Sequence, residues 1–224
     1  MRYLLFIVLL GVGCGQLSTS HDGVEPLDDR LASAPLADSM TADPIVARRL
    51  AWQKPDMLIE SLGDLSDKTV VDIGAGTGYF TFRLAKSAKK VIAVDIDQKM
   101  LNLIEIFREN LDSTNQAKVE TRLVPFDDPK LKSEEADVAV IINTISYIED
   151  RVSYLKKVHQ GLTKDGVVMI VDFKMGEVPE NIAPKEENRV EMTGVVENLR
   201  AAGFDILSAN DQRLDYQYII WAIR

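Results

Sequence analysis

From residue 45 onward two apolar patterns alternate along the chain. Short, largely apolar runs occupy 69–73, 91–95, 136–143 and 166–173, each bounded by glycine, an acid or a polar cluster, and the mixed segment 119–124 reads as a further strand. Runs of this length, rich in Val and Ile, predict strands buried on both faces. Between them apolar residues recur every three or four positions, as Met100, Leu101, Ile104 and Phe107 do within 97–110, and such spacing predicts amphipathic helices whose apolar stripe is core. On the same grounds helices are expected over 45–62, broken before Pro55, and over 78–87, 151–162 and 189–202, with final strands at 204–208 and 216–223. The segment 174–188 carries two prolines and many charges and reads as a mobile lid. Strand alternating with helix predicts an α/β domain, a mostly parallel sheet with helices on both faces.

The first strand carries the chemistry. Residues 70–81 run Val-Val-Asp-Ile-Gly-Ala-Gly-Thr-Gly-Tyr-Phe-Thr, so an apolar strand enters a turn with glycines at 74, 76 and 78 and leaves as a helix. Glycines there let the backbone turn sharply and approach a ligand that a Cβ would displace. Asp95 closes the next strand, 21 residues beyond Gly74, where a carboxylate can accept hydrogen bonds from both hydroxyls of a ribose. The expected ligand contains an adenosine. A nicotinamide dinucleotide site would need a third glycine where Tyr79 stands, and a ligand-free tight turn is the plainest alternative. Asp72, the glycine triplet and Asp95 together favour the nucleoside reading.

These residues resemble the Asp-x-Gly-x-Gly-x-Gly loop and ribose-binding acid of the class I S-adenosylmethionine-dependent methyltransferases. The resemblance covers about residues 45–224. Arg49-Leu-Ala-Trp-Gln-Lys-Pro55 looks like the lead-in helix of a bacterial branch near the ubiquinone/menaquinone methyltransferases. Residues 137–151 are similar to that branch's fourth strand and following loop, and Ala202-Gly-Phe204 and 214–221 to its closing elements. The resemblance implies a Rossmann-like sheet of strand order 3-2-1-4-5-7-6 with the seventh strand antiparallel, and S-adenosyl-L-methionine as cofactor. It implies cofactor contacts from Asp72, Gly74, Gly76, Gly78, Tyr79, Asp95 and Asn143. An adenine contact is expected from Asp128 or Asp127, unless these two form only a solvated turn.

A sulfonium is already an activated methyl donor, so no obligatory catalytic residue is expected. Tyr79, Asn143, Ser146, Tyr147 and Asp172 lie beside the strand ends that would face an acceptor. Relatives in the branch often carry paired histidines where Ser146 and Tyr147 stand. Tyr147 either lines an acceptor pocket or packs. The implied activity is methyl transfer to a small-molecule or lipid acceptor by in-line displacement. The alternatives are an inactive S-adenosylmethionine-binding module tethered to the membrane, and an interaction domain on an inherited fold.

Composition narrows the picture. Of 224 residues 46% are hydrophobic, enough for one sizeable core. The net charge of −9 argues against a nucleic-acid partner, because phosphate backbones are bound chiefly by clustered Lys and Arg. With two histidines and one cysteine, neither a zinc site nor an intrachain disulfide is expected. Arg2 followed by an apolar run from 3 to 12 and Cys14 has the layout of a secretory leader and resembles a bacterial lipoprotein signal, departing from it at Gly11, with an uncleaved membrane anchor or a mis-assigned start codon as the alternatives. The expected organisation is a signal over 1–14 lipidated at Cys14, a flexible linker over 15–43 and a methyltransferase domain over 44–224. That places the domain on the envelope side of a membrane, in tension with a cofactor made in the cytosol.

Overall fold

A computed structural model of the chain describes residues 44–179 and 181–224, with side chains from residue 49 onward. The leader and linker expected over 1–43 lie outside the described residues. The elements are α1 Pro44–Gln53, α2 Pro55–Glu60, β1 Thr69–Ile73, α3 Thr81–Ser87, β2 Lys90–Asp95, α4 Gln98–Arg108, α5 Ser113–Lys118 and β3 Val119–Leu123. They continue as β4 Ala136–Ile142, α6 Arg151–Gly161, β5 Leu162–Phe173, α7 Met192–Ala202, β6 Asp205–Asn210 and β7 Gln217–Ile223. Short 3₁₀ turns at Ile145–Tyr147 and Glu186–Asn188 follow β4 and precede α7.

The seven strands form one sheet in the order β3-β2-β1-β4-β5-β7-β6, and β7 runs antiparallel to both its neighbours, as expected. Because successive side chains of a strand point to opposite faces, the apolar runs divide into two cores. Val71, Ile73, Ile92, Val94, Ile141 and Ile170 pack with Leu155 and Val158 of α6 and Leu199 of α7. Val70, Val91, Ala93, Val140 and Val171 pack on the other face with Leu58 of α2, Leu84 of α3 and Ile104 of α4. Each fully buried Val, Ile or Leu contributes roughly 1.5–3 kcal/mol. Aspartates at 97 and 150 start α4 and α6 by accepting the backbone N–H of Lys99 and Ser153.

Several boundaries differ from the pattern's expectation. α5 was invisible to hydrophobic spacing because it buries no residue, and Asp112, capping Asn115 N–H, marks its start. β5 begins at Leu162 rather than 166, since Leu162 pairs Ala136 across an irregularity in the β4 ladder. α7 starts at Met192 rather than 189. Arg189 instead reaches back to the segment read as a lid, donating to the carbonyls of Pro184, Lys174 and Gly176. With parallel strands at the sheet's centre, the carboxyl ends of β1, β2 and β4 open on one edge, the usual location of ligands in such sheets.

Candidate functional site

At the end of β1 the chain reverses over β2. The N–H groups of Gly74 and Ala75 both donate to the Val94 carbonyl, at 2.9 and 3.1 Å. Gly74 has φ +76°, and a Cβ there would lie 2.3 Å from Thr144 Oγ1, so the loop is pressed against the turn after β4. Gly76 differs: with φ +55°, a Cβ there would meet no protein atom within 4 Å. Gly78 lies buried at the entry to α3, against Phe82. Of the three glycines, only Gly76 turns an unfilled side toward open space.

Asp95 fixes this loop. Its Oδ2 accepts the Gly76 N–H at 2.8 Å and its Oδ1 accepts the Asp97 N–H at 2.9 Å. An ionised carboxylate offers about four lone-pair sites, so roughly two remain on Asp95. The residue is 9% exposed and borders a cavity of about 210 Å³. Gly74, Ile96, Val124, Phe126, Thr144 and Tyr147 line that cavity with it, so a carboxylate rim meets a mainly apolar wall. A larger cleft of about 580 Å³ opens at the opposite end of the strands, beside Asp137 and Gly166, away from the glycine loop.

Asp72 sits beneath the loop at 3% exposure, its Oδ2 accepting the Thr81 hydroxyl at 2.7 Å. Burial pushes its carboxyl up to about 6, with the nearby Asp95 charge adding to the rise and the Thr81 hydroxyl opposing it. Asp172, 1% exposed at the end of β5, is likewise raised by burial, while the N–H groups of Phe173 and Ser146 hold it back. Burial raises Tyr154, another cavity wall residue, and the Asp128 and Asp95 charges add to it. Asp95 is the carboxylate in the cavity wall and Asp72 lies beneath the loop, so the site suits a ligand with a positive centre beside an apolar ring system.

The expected residues do not all meet there. Tyr79 is not in the cavity wall: its ring lies between the guanidinium groups of Arg49 and Arg83, each 3.9 Å from the centroid. Its hydroxyl is buried without a partner among the described residues. Asp128 is outside the wall too, committed to the Lys130 N–H at 2.7 Å and to the ammonium groups of Lys130 and Lys157. Burial pushes the Asp128 carboxyl up, but those donors outweigh it and leave the group below its ordinary value. Val124 and Phe126 face the cavity where an acid was expected. Asn143 has φ +57° just beyond β4, a left-handed conformation that asparagine tolerates, and its side chain is tied to Gln217. Tyr147 lines the cavity and is 57% exposed.

Thr144, Gln53 and Gln217 carry contacts that sequence reasoning missed. Gln53 adjoins Trp52 in the lead-in stretch, but no local pattern marks Gln217, whose partners are 164 and 74 residues away.

Three comparisons bear on this geometry. A family model described as a methyltransferase domain matches residues 64–218. Ribosomal RNA small subunit methyltransferase A of Koribacter versatilis is 45% identical over 56 residues, 25% of this chain and 20% of that protein. The tRNA U34 carboxymethyltransferase of Sulfurimonas denitrificans is 27% identical over 113 residues, 49% of this chain and 36% of that one. The chain thus spans well under half the length of these curated relatives. A crystallised SAM dependent methyltransferase from Aquifex aeolicus shares the fold with a TM-score of 0.71 at 21% identity, covering 85% of this chain and 98% of that one.

These relatives correct the exclusion of nucleic acid as a partner, since both curated proteins bear the names of RNA-modifying enzymes. The charge argument failed because net charge is a sum over the whole surface, whereas phosphate contacts depend on the local field.

Proposed function

The chain belongs to the methyltransferase-domain family, with the class I Rossmann-like fold and S-adenosylmethionine as cofactor, and from that premise we propose that it methylates an RNA base. The observation that carries the cofactor reading is Asp95. One of its lone-pair sites braces the glycine loop through Gly76, another holds the Asp97 N–H, and roughly two are left on a carboxylate that borders the cavity, enough to accept both hydroxyls of a ribose. The residues fit the group in three further ways. Gly76 leaves space where a side chain would intrude, Ile96, Val124 and Phe126 supply an apolar wall for a purine, and Asp72 and Asp95 give a negative field for a sulfonium.

When bound, the cofactor supplies an electrophilic methyl group. The chain's contribution is to orient it and to shut out water. Asp95 would hold the ribose, and Thr144, just beyond the buried end of β4, packs against Gly74 of the loop. RNA as the acceptor class follows the names of the curated relatives. Two exposed aromatic side chains at the cavity support it, Phe126 at 45% and Tyr147 at 57%, because aromatic faces are where unpaired bases stack.

The test is label transfer from methyl-tritiated cofactor to total cellular RNA by the purified full chain. Ribonuclease-sensitive counts that fall at least about tenfold in Asp95→Asn are expected, since a hydrogen bond to a charged group is worth about 1.5–3 kcal/mol. Tight cofactor binding without any label in RNA would refute the acceptor reading.

Two finer readings accompany this one. We place the chain near the ubiquinone/menaquinone branch on the lead-in residues 49–55, a statement about architecture and not about the acceptor. As a competitor to the RNA reading, because it would part the domain from cytosolic RNA and cofactor, we also propose that residues 1–14 direct export and lipidation at Cys14, on the pattern of Arg2, the apolar run and the cysteine. Labelling of wild type but not Cys14→Ser by a fatty-acid probe supports it, and an unlabelled wild type ends it.

A further inference from the structure

Asn143 ends a chain of side-chain amides that begins at an arginine. Arg49 Nε donates to Gln53 Oε1 at 2.6 Å, Gln53 Nε2 donates to Gln217 Oε1 at 3.1 Å, and Gln217 Nε2 donates to Asn143 Oδ1. Both glutamines have no exposed surface. In such a place an unmade hydrogen bond costs the whole desolvation of the group, so the links hold one another.

The direction of the chain is not arbitrary. An amide can be turned end for end, but a guanidinium has five donors and no acceptor. Arg49 therefore requires the oxygen of Gln53, which leaves Gln53 to donate onward, and each following amide takes the same sense. At the far end the oxygen of Asn143 is occupied. Its Nδ2 has no partner among the described residues and is not among their buried unpartnered atoms. Asn143 directly precedes Thr144, which packs on Gly74, so the polarity of the relay leaves an unpartnered donor, among the described residues, at the end of β4.

Strand order says what reaches that point. Asp95 ends β2, while Val124 and Phe126, which wall the cavity, follow β3 on one side; β1 and β4 lie on the other. With the ribose on Asp95 and the purine toward β3, the amino-acid end of the cofactor would lie on the side of β1 and β4. That end carries an ammonium, which needs acceptors, and a carboxylate, which needs donors.

We infer that Asn143, oriented by the Arg49–Gln53–Gln217 relay, donates its Nδ2 hydrogens to the carboxylate of the cofactor's amino-acid end. Arg49, Gln53 and Gln217 are then positioning residues for that contact, which rests on the cofactor reading above. The relay also couples α1 to cofactor binding, since the same helix packs Trp52 against Phe173 and Tyr216 and lays Arg49 on Tyr79.

Calorimetric titration of the full chain with two probes tests this without an acceptor. S-adenosylhomocysteine carries the amino-acid end, and 5′-methylthioadenosine keeps the nucleoside and thioether without it. Arg49→Met and Gln53→Met should each weaken S-adenosylhomocysteine about five- to tenfold and leave methylthioadenosine within about twofold. The double variant should lose no more than the weaker single, because either change already releases the relay. In wild type the Asn143 side-chain amide resonances should move with S-adenosylhomocysteine and stay with methylthioadenosine. Equal losses for both probes, no loss, or additive losses in the double variant would overturn the relay while the cofactor reading stands. A wild-type chain that binds neither probe overturns the cofactor reading and the relay with it.

Discussion

The tightest steric statement in the site concerns Gly74→Ala. An alanine Cβ would stand 2.3 Å from Thr144 Oγ1, 2.6 Å from its Cγ2 and 3.0 Å from its Cβ, all inside van der Waals contact. It would also hold a φ of +76° that costs a side-chain-bearing residue about 1–2 kcal/mol. Overpacking of this kind adds about 1–3 kcal/mol, so the expected loss is about 2–5 kcal/mol. Thr144→Ala removes the two nearest atoms and, with them, the hydroxyl's bond to the Ile142 carbonyl, a loss of about 1 kcal/mol by itself. The double variant should then recover about 1–2 kcal/mol relative to the sum of the singles. Gly76→Ala is the control: it bears the backbone strain alone and should cost about 1 kcal/mol, because nothing lies within 4 Å. Urea denaturation with unchanged slope reads all four proteins. Additive single and double losses, or equal losses for Gly74→Ala and Gly76→Ala, would refute the packing argument.

Other outcomes follow from the titrating groups and the site. Asp72 has its folded value raised to about 6 against an ordinary 3.8, so the native state holds the extra proton between those values. Its contribution is complete below the unfolded value and is lost as pH rises through the folded one; Asp72→Asn should flatten the fall between about pH 4 and 6 and raise stability at pH 8 by roughly 1–3 kcal/mol, read by thermal melts. Glu135 shows the opposite sign: bidentate contact with Arg122 at 2.8 and 2.9 Å holds it down to about 2. Glu135→Gln should therefore lower stability by about 1–2 kcal/mol at pH 7, with the difference shrinking as pH falls from 4.5 toward 2. Tyr147→Ala, exposed at the cavity, should leave the melting temperature within about 2 °C while reducing transfer to RNA, and unchanged transfer would remove it from the acceptor surface.

Much of the domain is legible in the sequence. A strand buried on both faces is apolar at most positions, so 69–73, 91–95 and 136–143 stand out in the sequence, and the order of the sheet follows the resemblance they support. Elements that bury nothing, such as α5, leave no periodic trace, and a ladder irregularity like that at Ala136 has no composition of its own. Tyr79 and Asp128 show the limit at the site. Tyr79 follows the glycine loop and Asp128 lies two residues beyond the cavity-wall Phe126, yet Tyr79 is drawn between Arg49 and Arg83 and Asp128 to Lys130 and Lys157. Net charge misled for a related reason, being a whole-chain sum applied to a local surface.

The sequence by itself determined what is written in consecutive residues: the alternation of strand and helix, the glycine turn after β1 and the acid that closes β2. Local sterics and two-sided burial act over a few residues, so their record is local. Only the tertiary structure decided that Gly74 must admit Thr144, that Gly76 alone faces open space, and that Arg49, Gln53, Gln217 and Asn143 form one polarised line. Those contacts join residues as far as 164 positions apart. They exist because the sheet brings β7 beside β5 and lays α1 across the strand ends, a juxtaposition that no window of the chain contains.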